Sequence, residues 1–174
     1  MIVTRLFLVA GFGLLTACSL TTREPRATAE LKDRDGKIVG HAFFRERSDG
    51  VLMRMHVKGL TPGLHAVHVH SVGKCEGPGF TTAAGHFNPM GKKHGLNSPA
   101  GAHAGDLPNM LVTKDGSGRF EVRTDAFTLK TGAASVFDSD GSSLIIHAGV
   151  DDYATDPTGN AGDRAACGPI VATN

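Results

Sequence analysis

What the chain lacks narrows its class before any motif is considered. It has no surplus of charge of one sign, since 18 Lys and Arg stand against 17 Asp and Glu. Arg5 is the only charged residue among the first 17, so the rest carries 17 charges of each sign (18 minus 1). Nucleic-acid binding draws on a basic surplus, so we expect no nucleic-acid partner. Attraction for a small charged substrate has to come from the local placement of charges.

The chain also lacks an apolar run long enough to cross a membrane as a helix, which takes about 20 residues. Its apolar segment, residues 6–15, follows Arg5 and leads through small residues into Cys18. This pattern predicts a cleaved export signal over residues 1–17, and the cysteine after Leu-Thr-Ala resembles a bacterial lipoprotein signal with a lipid on Cys18. An ordinary signal peptide with an incidental cysteine is the alternative. Residues 18–26 are mostly polar and are expected to be a linker.

These observations predict an exported protein of the periplasm. We expect a lipid on Cys18 to hold it at the outer membrane, and no other contact with a membrane. The sequence leaves a homodimer open.

Cysteine is scarce: beyond Cys18 there are only Cys75 and Cys167. An even pair in an exported, oxidising setting predicts a disulfide, with two free buried thiols as the alternative. The bond would close a loop of 92 residues (167 minus 75). On the chain-entropy model such a loop is worth about 4–5 kcal/mol.

No segment after residue 26 has a sustained helical apolar stripe. Apolar residues instead alternate with polar ones, and Asp-Gly pairs, which favour tight hairpin turns, separate the alternating runs. The predicted strands are 27–32, 37–47, 51–58, 110–113, 119–123 and 143–148, with a further strand around residues 68–70. Residues 27–174 are therefore expected to form one all-β domain, an antiparallel sandwich or barrel of about eight strands. The connections 71–107 and 150–165 are long and rich in Gly, Pro, Asn and Asp, which indicates functional loops.

Histidine is concentrated. Seven of the nine histidines fall in four short stretches, 63–73, 85–95, 103–109 and 144–153. His68 and His70 are two apart on a predicted strand and so leave the same face of the sheet. An isolated pair of this kind would be ascribed to chance on a surface strand. Further donors follow, however: His86, His94, His103, Asp106 and His147. They exceed what one tetrahedral site uses, so the sequence predicts two metal ions that share a ligand.

These stretches carry a specific resemblance. HAVHVH at 65–70, GHFNP at 85–89, GKKHG at 91–95, HAGDLPN at 103–109, LIIHA at 144–148 and GNAGDRAACGPI at 159–170 are similar to the motifs of copper/zinc superoxide dismutases of the bacterial exported type. The likeness runs from about residue 27 to 171 and implies an eight-stranded Greek-key barrel. It implies copper on His68, His70, His86 and His147, and zinc on His86, His94, His103 and Asp106.

The resemblance also implies a reaction. Copper would cycle between two oxidation states, converting superoxide to oxygen and hydrogen peroxide, and so protect the cell envelope. His86 would bridge both metals and take a proton when it leaves copper. Zinc would be structural, and Arg164 would guide the superoxide anion. A surface salt bridge to Asp163 or Asp156 is the alternative role for Arg164.

Other residues receive lesser roles. By resemblance, Asp151 would hydrogen-bond one copper ligand, His68, and one zinc ligand, His94. Lys92 and Lys93 are candidates for steering superoxide, with solvated loop residues as the alternative. His65 resembles a structural histidine that ties the strand to neighbouring backbone, and His41 and His56 are expected to be ordinary strand residues.

The chain departs from the usual family pattern at Ala66, Val67 and Pro169, none of which is a ligand. Two other classes of function stay open on sequence alone. One is a lipoprotein that stores or delivers metal, and the other is a catalytically silent interaction module.

Overall fold

The computed structural model of the protein describes residues 24–173, so the predicted signal and Cys18 lie outside the described residues. It contains ten strands and one short 3₁₀ turn at Thr81–Ala83. The strands are β1 (Arg26–Asp33), β2 (Ile38–Arg47), β3 (Gly50–Val57), β4 (Gly63–His65), β5 (Val67–His70), β6 (Met110–Val112), β7 (Gly118–Thr124), β8 (Ser143–His147), β9 (Arg164–Pro169) and β10 (Val171–Thr173). No helix in the range 24–173 is long and apolar enough to span a membrane.

The strands form one antiparallel sheet in the order β4-β6-β7-β3-β2-β1-β9-β8-β5, and β10 pairs with β1. The two ends of this path, β4 and β5, are joined in the chain by Ala66 alone, so the sheet curls into a nearly closed barrel. β3 and β4 are consecutive in the chain but are separated in the sheet by β7 and β6, so their connection crosses one end of the barrel as in a Greek key. The predicted all-β class is confirmed.

Alternation of apolar and polar residues builds the first three strands. In β3 the burial pattern alternates residue by residue, with Val51, Met53, Met55 and Val57 inside. The β2–β3 turn closes at Gly50, whose φ of 111° is a conformation that side chains disfavour. A one-residue slip would move this whole apolar set to the solvent face, so the pattern fixes the register.

The strand count differs from the predicted eight, and the reason is local. The HAVHVH segment at 65–70 is divided at Ala66, because β4 pairs with β6 and β5 pairs with β8. The last strand is divided at Ile170, where the backbone N–H donates instead to Ser142 O at 2.9 Å. Pro169 ends β9 and has no N–H to continue a ladder. At Ala66 the chain changes sheet partner, whereas at Ile170 it leaves β8 and keeps β1 as its partner.

The core fills the barrel with aliphatic and aromatic side chains, among them Leu31, Phe44, Met53, Leu144 and Ile146. Burial of each such side chain contributes about 1.5–3 kcal/mol of transfer free energy. The core thereby holds β5 and β8, the strands that carry three of the predicted ligands, in fixed positions.

Three long connections lie outside the barrel, over residues 71–109, 125–142 and 148–163. The first and third correspond to the predicted metal-site loops. The second was not predicted as a long connection. Buried Glu46 holds it by accepting hydrogen bonds from Leu129 N at 2.7 Å and Thr128 Oγ1 at 3.0 Å. The disulfide Cys75–Cys167 ties the first connection to β9, as predicted.

Candidate metal centre

Sheet register brings three of the predicted ligands together. His68 and His70 lie on β5, which pairs with β8, and His147 is the last residue of β8. His86, from the first connection, forms an isolated bridge with His70. The four side chains are buried and offer ring nitrogens that all lie within 4.8 Å of one another. We call them the four-histidine group.

Each strand ligand has one ring nitrogen committed to an acceptor. His70 Nδ1 donates to Ala84 O at 2.9 Å, and His147 Nδ1 donates to Gly162 O at 3.1 Å. These bonds fix the neutral tautomer and leave Nε2 of both rings as a lone-pair donor aimed into the group.

Burial keeps these rings neutral. It lowers the pKa of His68 to about 4, although a hydrogen bond to Asp151 acts to raise it. Burial likewise lowers the pKa of His147 to about 3 and that of His70 well below its ordinary value. Neutral imidazole is the form that binds a metal, so the rings are ready to act as ligands.

A second group adjoins the first through His86. His94, His103 and Asp106, all from the first connection, offer ligand atoms within 4.8 Å of one another and of His86. Asp106 Oδ1 lies 2.8 Å from His86 Nδ1 and 3.3 Å from His103 Nδ1, while Asp106 Oδ2 lies 3.1 Å from His94 Nδ1. We call these four residues the loop group. In it the three rings all present Nδ1.

Asp106 also organises the loop that carries it. Its Oδ2 accepts the backbone N–H of Gly95 at 2.9 Å and that of His103 at 3.0 Å. Burial acts to raise the pKa of Asp106, but hydrogen bonds from His86 and Gly95 outweigh it and hold the pKa well below its usual range. The carboxylate is therefore ionised, which is the state a metal ligand requires.

Asp151 contacts one histidine of each group on the side away from the ligand atoms. Its carboxylate accepts His68 Nε2 at 2.7 Å and His94 Nε2 at 2.9 Å. Burial acts to raise its pKa, but these two bonds outweigh it and leave the pKa lowered. Both rings are thus held with Nδ1 as the free lone pair. This is the arrangement that the family resemblance implies for Asp151.

The hydrogen bonding of the rings independently indicates that these residues fit two metal ions. Among the described residues, five buried ring nitrogens have no hydrogen-bond partner: His68 Nδ1, His70 Nε2, His86 Nε2, His94 Nδ1 and His147 Nε2. An unpartnered buried polar atom costs about 1–3 kcal/mol of stability. Five such nitrogens at one place therefore indicate that a ligand binds there. Four of the five belong to the four-histidine group, which matches the donors of a copper site. The N₃O donors of the loop group match tetrahedral zinc.

Several contacts at this centre were missed by the sequence. The Ala84 and Gly162 carbonyls carry no side-chain signal. Gly159 is required by close packing, because a Cβ there would lie 2.0 Å from Asp151 Oδ1 and 2.6 Å from His94 Nε2. Asn109 clamps Asp151, accepting its backbone N–H at 2.9 Å and donating to its carbonyl at 2.9 Å.

Arg164 lies at the mouth of the four-histidine group. It lines a cleft of about 660 Å³ together with His70, His86 and His147. Its guanidinium donates to the carbonyls of Phe80 and Ala84 and forms no ion pair within residues 24–173. The alternative salt bridges are absent from this range, because Asp163 pairs with Arg34 and Asp156 pairs with Lys93.

The other singled-out residues lie apart from the ligands. Lys93 Nζ is 2.9 Å from Asp156, and Lys92 is exposed. His65 Nδ1 donates to His147 O at 2.7 Å, and its Nε2 lies 2.7 Å from Thr61 O and 3.4 Å from Thr61 Oγ1, which is the structural tie expected for it by resemblance. His41 and His56 face each other across β2 and β3, away from the centre.

An antiparallel barrel that carries two adjoining groups of buried imidazole and carboxylate ligands, sharing one histidine, defines a two-metal redox protein. Residues 38–170 match the family model of copper/zinc superoxide dismutase. The chain belongs to the copper/zinc superoxide dismutase family. It is an oxidoreductase that converts superoxide to oxygen and hydrogen peroxide, and its cofactors are copper and zinc.

Individual relatives agree. The chain is 46% identical over 164 residues to copper/zinc superoxide dismutase 2 of Aquifex aeolicus, covering 93% of this chain and 95% of that protein. It is 42% identical over 147 residues to the copper/zinc enzyme of Caulobacter vibrioides, covering 83% and 84%. The crystal structure of a superoxide dismutase-like protein from Bacillus subtilis superposes with a TM-score of 0.80 at 39% identity, covering 83% of this chain and 97% of that one.

Proposed function

We propose that the four-histidine group binds the redox-active copper and that the loop group binds a structural zinc, with His86 shared between them. The observation that carries this assignment is the set of unpartnered ring nitrogens. His86 turns Nε2 towards the first group and Nδ1 towards Asp106. One ring therefore offers a donor to each site.

Copper, when bound, supplies the one-electron chemistry that takes an electron from one superoxide and gives it to a second. The chain's own residues supply the rest. Whenever Nε2 of His86 is not bound to metal it would hold and deliver a proton, a positioned proton transfer of the general-acid kind. The loop group keeps Nδ1 of the same ring in place, so the proton is presented from a fixed position. Two superoxides and two protons give one oxygen and one hydrogen peroxide.

Arg164 is proposed to guide the anion. Two carbonyl acceptors orient its guanidinium, and the absence of a carboxylate partner within residues 24–173 leaves the positive charge uncompensated at the cleft. A guanidinium keeps its charge at every physiological pH and offers forked donors to a small anion. Lys92 is a better steering candidate than Lys93, because the charge of Lys93 is balanced by Asp156.

We further propose that the enzyme works in the periplasm, lipid-anchored to the outer membrane through Cys18, and protects the envelope from superoxide. Support comes from the signal-like residues 1–17 and from the disulfide, which is typical of oxidising compartments. A relative from Brugia pahangi, 35% identical, is named an extracellular superoxide dismutase.

The sequence leaves a homodimer open, and we propose the cross-strand pair Leu64 and Leu111 on β4 and β6 as its contact, because both side chains are exposed. Sedimentation of the purified protein at several concentrations tests it, and a monomer at every concentration would contradict it.

One reconstitution experiment tests the assignment of the two sites. The metal-free protein is loaded with copper and zinc, analysed for metal and assayed for superoxide decay. We expect one copper and one zinc per chain, copper-dependent acceleration and inhibition by cyanide, which competes for the open copper position. Stoichiometric metal binding without turnover would indicate storage or delivery and would overturn the enzymatic assignment. Mass spectrometry of the membrane-extracted protein tests the lipid on Cys18 separately.

A further inference from the structure

The outer face of strands β1, β2, β3 and β7 is strongly basic, although the chain as a whole is nearly neutral. These four strands pair side by side, so their exposed side chains share one surface. Within the four strands that surface carries seven Lys and Arg against two Glu, a surplus of five (7 minus 2). The cations are Arg26, Lys32, Arg45, Arg47, Arg54, Arg119 and Arg123, and the acids are Glu30 and Glu121. We call this surface the arginine face.

Cross-strand register crowds these charges in an unfavourable way. Arg26 lies directly opposite Arg45, and like charges in this position destabilise a sheet. Arg123 lies in the same row, opposite Leu52 on β3. A domain whose charges balance overall has no need of such a row for solubility, so the arrangement favours recognition of something anionic.

Only part of the charge is internally balanced. Lys32 pairs with Glu30, Arg45 with Glu24, Arg54 with Glu121, and Arg123 with Asp49. Exposed pairs of this kind contribute about 0–1 kcal/mol and exchange partners easily.

The remaining arginines stand apart. Within residues 24–173, Arg26, Arg47 and Arg119 form no ion pair. They are therefore free to contact phosphate.

Apolar side chains stand among the arginines. Phe43, on β2, is 52% exposed and lies opposite Arg54, with Arg45 two residues further along the strand. Val171, 58% exposed, lies opposite Thr28 of β1 in the same row. Basic residues around an exposed phenylalanine are the composition of surfaces that lie on a membrane, where the ring enters the head-group layer and the charges meet phosphate.

The short segment between Cys18 and β1 also supports contact of the arginine face with a membrane. β1 begins at Arg26, which lies on this face, and only seven residues (19–25) separate it from Cys18. The eight Cα–Cα steps from Cys18 to Arg26 reach at most about 29 Å. A lipid on Cys18 would therefore keep the arginine face close to the bilayer, a step that rests on the proposed lipid while the charge and apolar steps do not.

We infer that the arginine face docks on the phosphate head groups of an anionic membrane. None of its residues lines the cleft that contains Arg164 and the three copper-site rings, so docking leaves that cleft open to superoxide. The arginine face thus adds a second membrane contact, which does not depend on the lipid proposed on Cys18.

The test compares binding of the metal-loaded full-length protein to phosphatidylglycerol vesicles and to phosphatidylcholine vesicles. A lipid on Cys18 acts on both, so the ratio of the two partition coefficients reports the arginine face alone. The variant Arg26→Gln/Arg47→Gln/Arg119→Gln should lose about fivefold in this ratio per arginine. The control Lys37→Gln/Lys114→Gln/Lys130→Gln removes the same charge from exposed loops and should leave the ratio within about twofold of the original.

A second variant tests the apolar contact. Phe43→Ser should weaken binding to phosphatidylglycerol vesicles severalfold, and the loss should persist at high salt, where charge contacts are screened. Met90→Ser, a substitution of another exposed apolar residue, should have no effect. Superoxide dismutation should be unchanged in every variant, which shows that each has folded.

Three outcomes would overturn the proposal. One is a ratio of the two partition coefficients equal to one in the unmutated protein. Another is an equal loss of this ratio in the arginine variant and in its lysine control. The third is retention of the protein by soluble dextran sulfate without preference for anionic vesicles, which would make the face a site for a polyanionic polymer.

Discussion

The two halves of the metal centre are built in different ways. In the four-histidine group, His68, His70 and His147 are residues of β5 and β8, and sheet register alone determines where their side chains point. In the loop group, His94, His103 and Asp106 belong to the connection 71–109, which has no ladder of its own.

The loop half is ordered by specific ties instead. Asp106 accepts two backbone N–H groups, Asp151 holds His94, and Cys75–Cys167 fastens the start of the connection to β9. The redox site, which must keep its geometry, therefore lies mainly on the rigid barrel. The supporting site, placed on a loop, depends on bonds that can be removed one at a time.

The largest expected effect comes from removing one ligand from each half. His147→Ala should reduce superoxide dismutation more than about a hundredfold while zinc is retained. Loss of a hydrogen-bond partner of a metal ligand already costs about 10–100-fold, and loss of the ligand itself should cost more. His94→Ala should release zinc and leave a weaker, copper-dependent activity. Superoxide-decay assays and metal analysis of both variants make the comparison. Equal losses of activity and of both metals would show that the halves are not separable.

Reduction of the disulfide should act on the loop half first. Cys75 and Cys167 pack with Phe80 and Ala83, next to the carbonyls that orient Arg164. Opening a 92-residue loop removes up to about 4–5 kcal/mol of stability on the chain-entropy model. Thermal unfolding and zinc retention after clean reduction measure this. Unchanged zinc content and melting temperature would contradict the coupling, and the Cys75→Ser/Cys167→Ser variant is the matched check.

The same contrast explains what the sequence could predict. Period-two alternation and Asp-Gly turns located β1, β2, β3 and β7 within a residue or two, because each strand has one buried face. The barrel class followed from them. The positions where HAVHVH and the last strand are divided had no such signal, since pairing depends on distant strands, and the count of eight was low by two.

For the site, residue type was informative where a side chain acts and silent where the backbone acts. All seven predicted ligands come together, and Asp151 lies behind His68 and His94 as expected. The Ala84 and Gly162 carbonyls that fix two tautomers were invisible, because any residue offers a carbonyl. The 125–142 connection was missed because its organiser, Glu46, is an acid on a strand far away in sequence.

Asp151→Asn should loosen both halves at once, since one carboxylate supports a ring in each. Partners behind metal ligands are worth about 10–100-fold in metal affinity. Competition with a chelator should therefore show weaker retention of copper and of zinc. Asp152→Asn removes the same charge next to it, but within residues 24–173 the Asp152 carboxylate accepts hydrogen bonds only from residues 154, 155 and 160. An equal loss in Asp152→Asn would show that the effect is one of loop charge.

Arg164→Ile should lower the rate without touching either set of ligands. Loss of a steering charge costs about tenfold or more in the rate of association. Arg164→Lys should recover part of that rate, because it keeps the charge but not the two forked contacts. Metal content should stay the same in both, and the salt dependence of the rate should flatten in Arg164→Ile. Lys93→Gln, whose charge is already paired, is the control and should change little.

The smallest effect is expected at the β6–β7 turn, which supports neither half. Asp115 accepts hydrogen bonds from Thr113 Oγ1 at 2.6 Å and from the hydroxyl and backbone N–H of Ser117, and these bonds lower its pKa to about 2. Its contribution to stability is therefore complete above the unfolded pKa of about 4 and is lost as the pH falls towards 2. Asp115→Asn should lower the melting temperature of the metal-free protein at pH 7 by ~1–2 °C, and the difference should narrow below pH ~4. A difference that stays constant down to acid pH, or a change in zinc retention, would mean that the turn is coupled to the loop half through contacts other than this carboxylate.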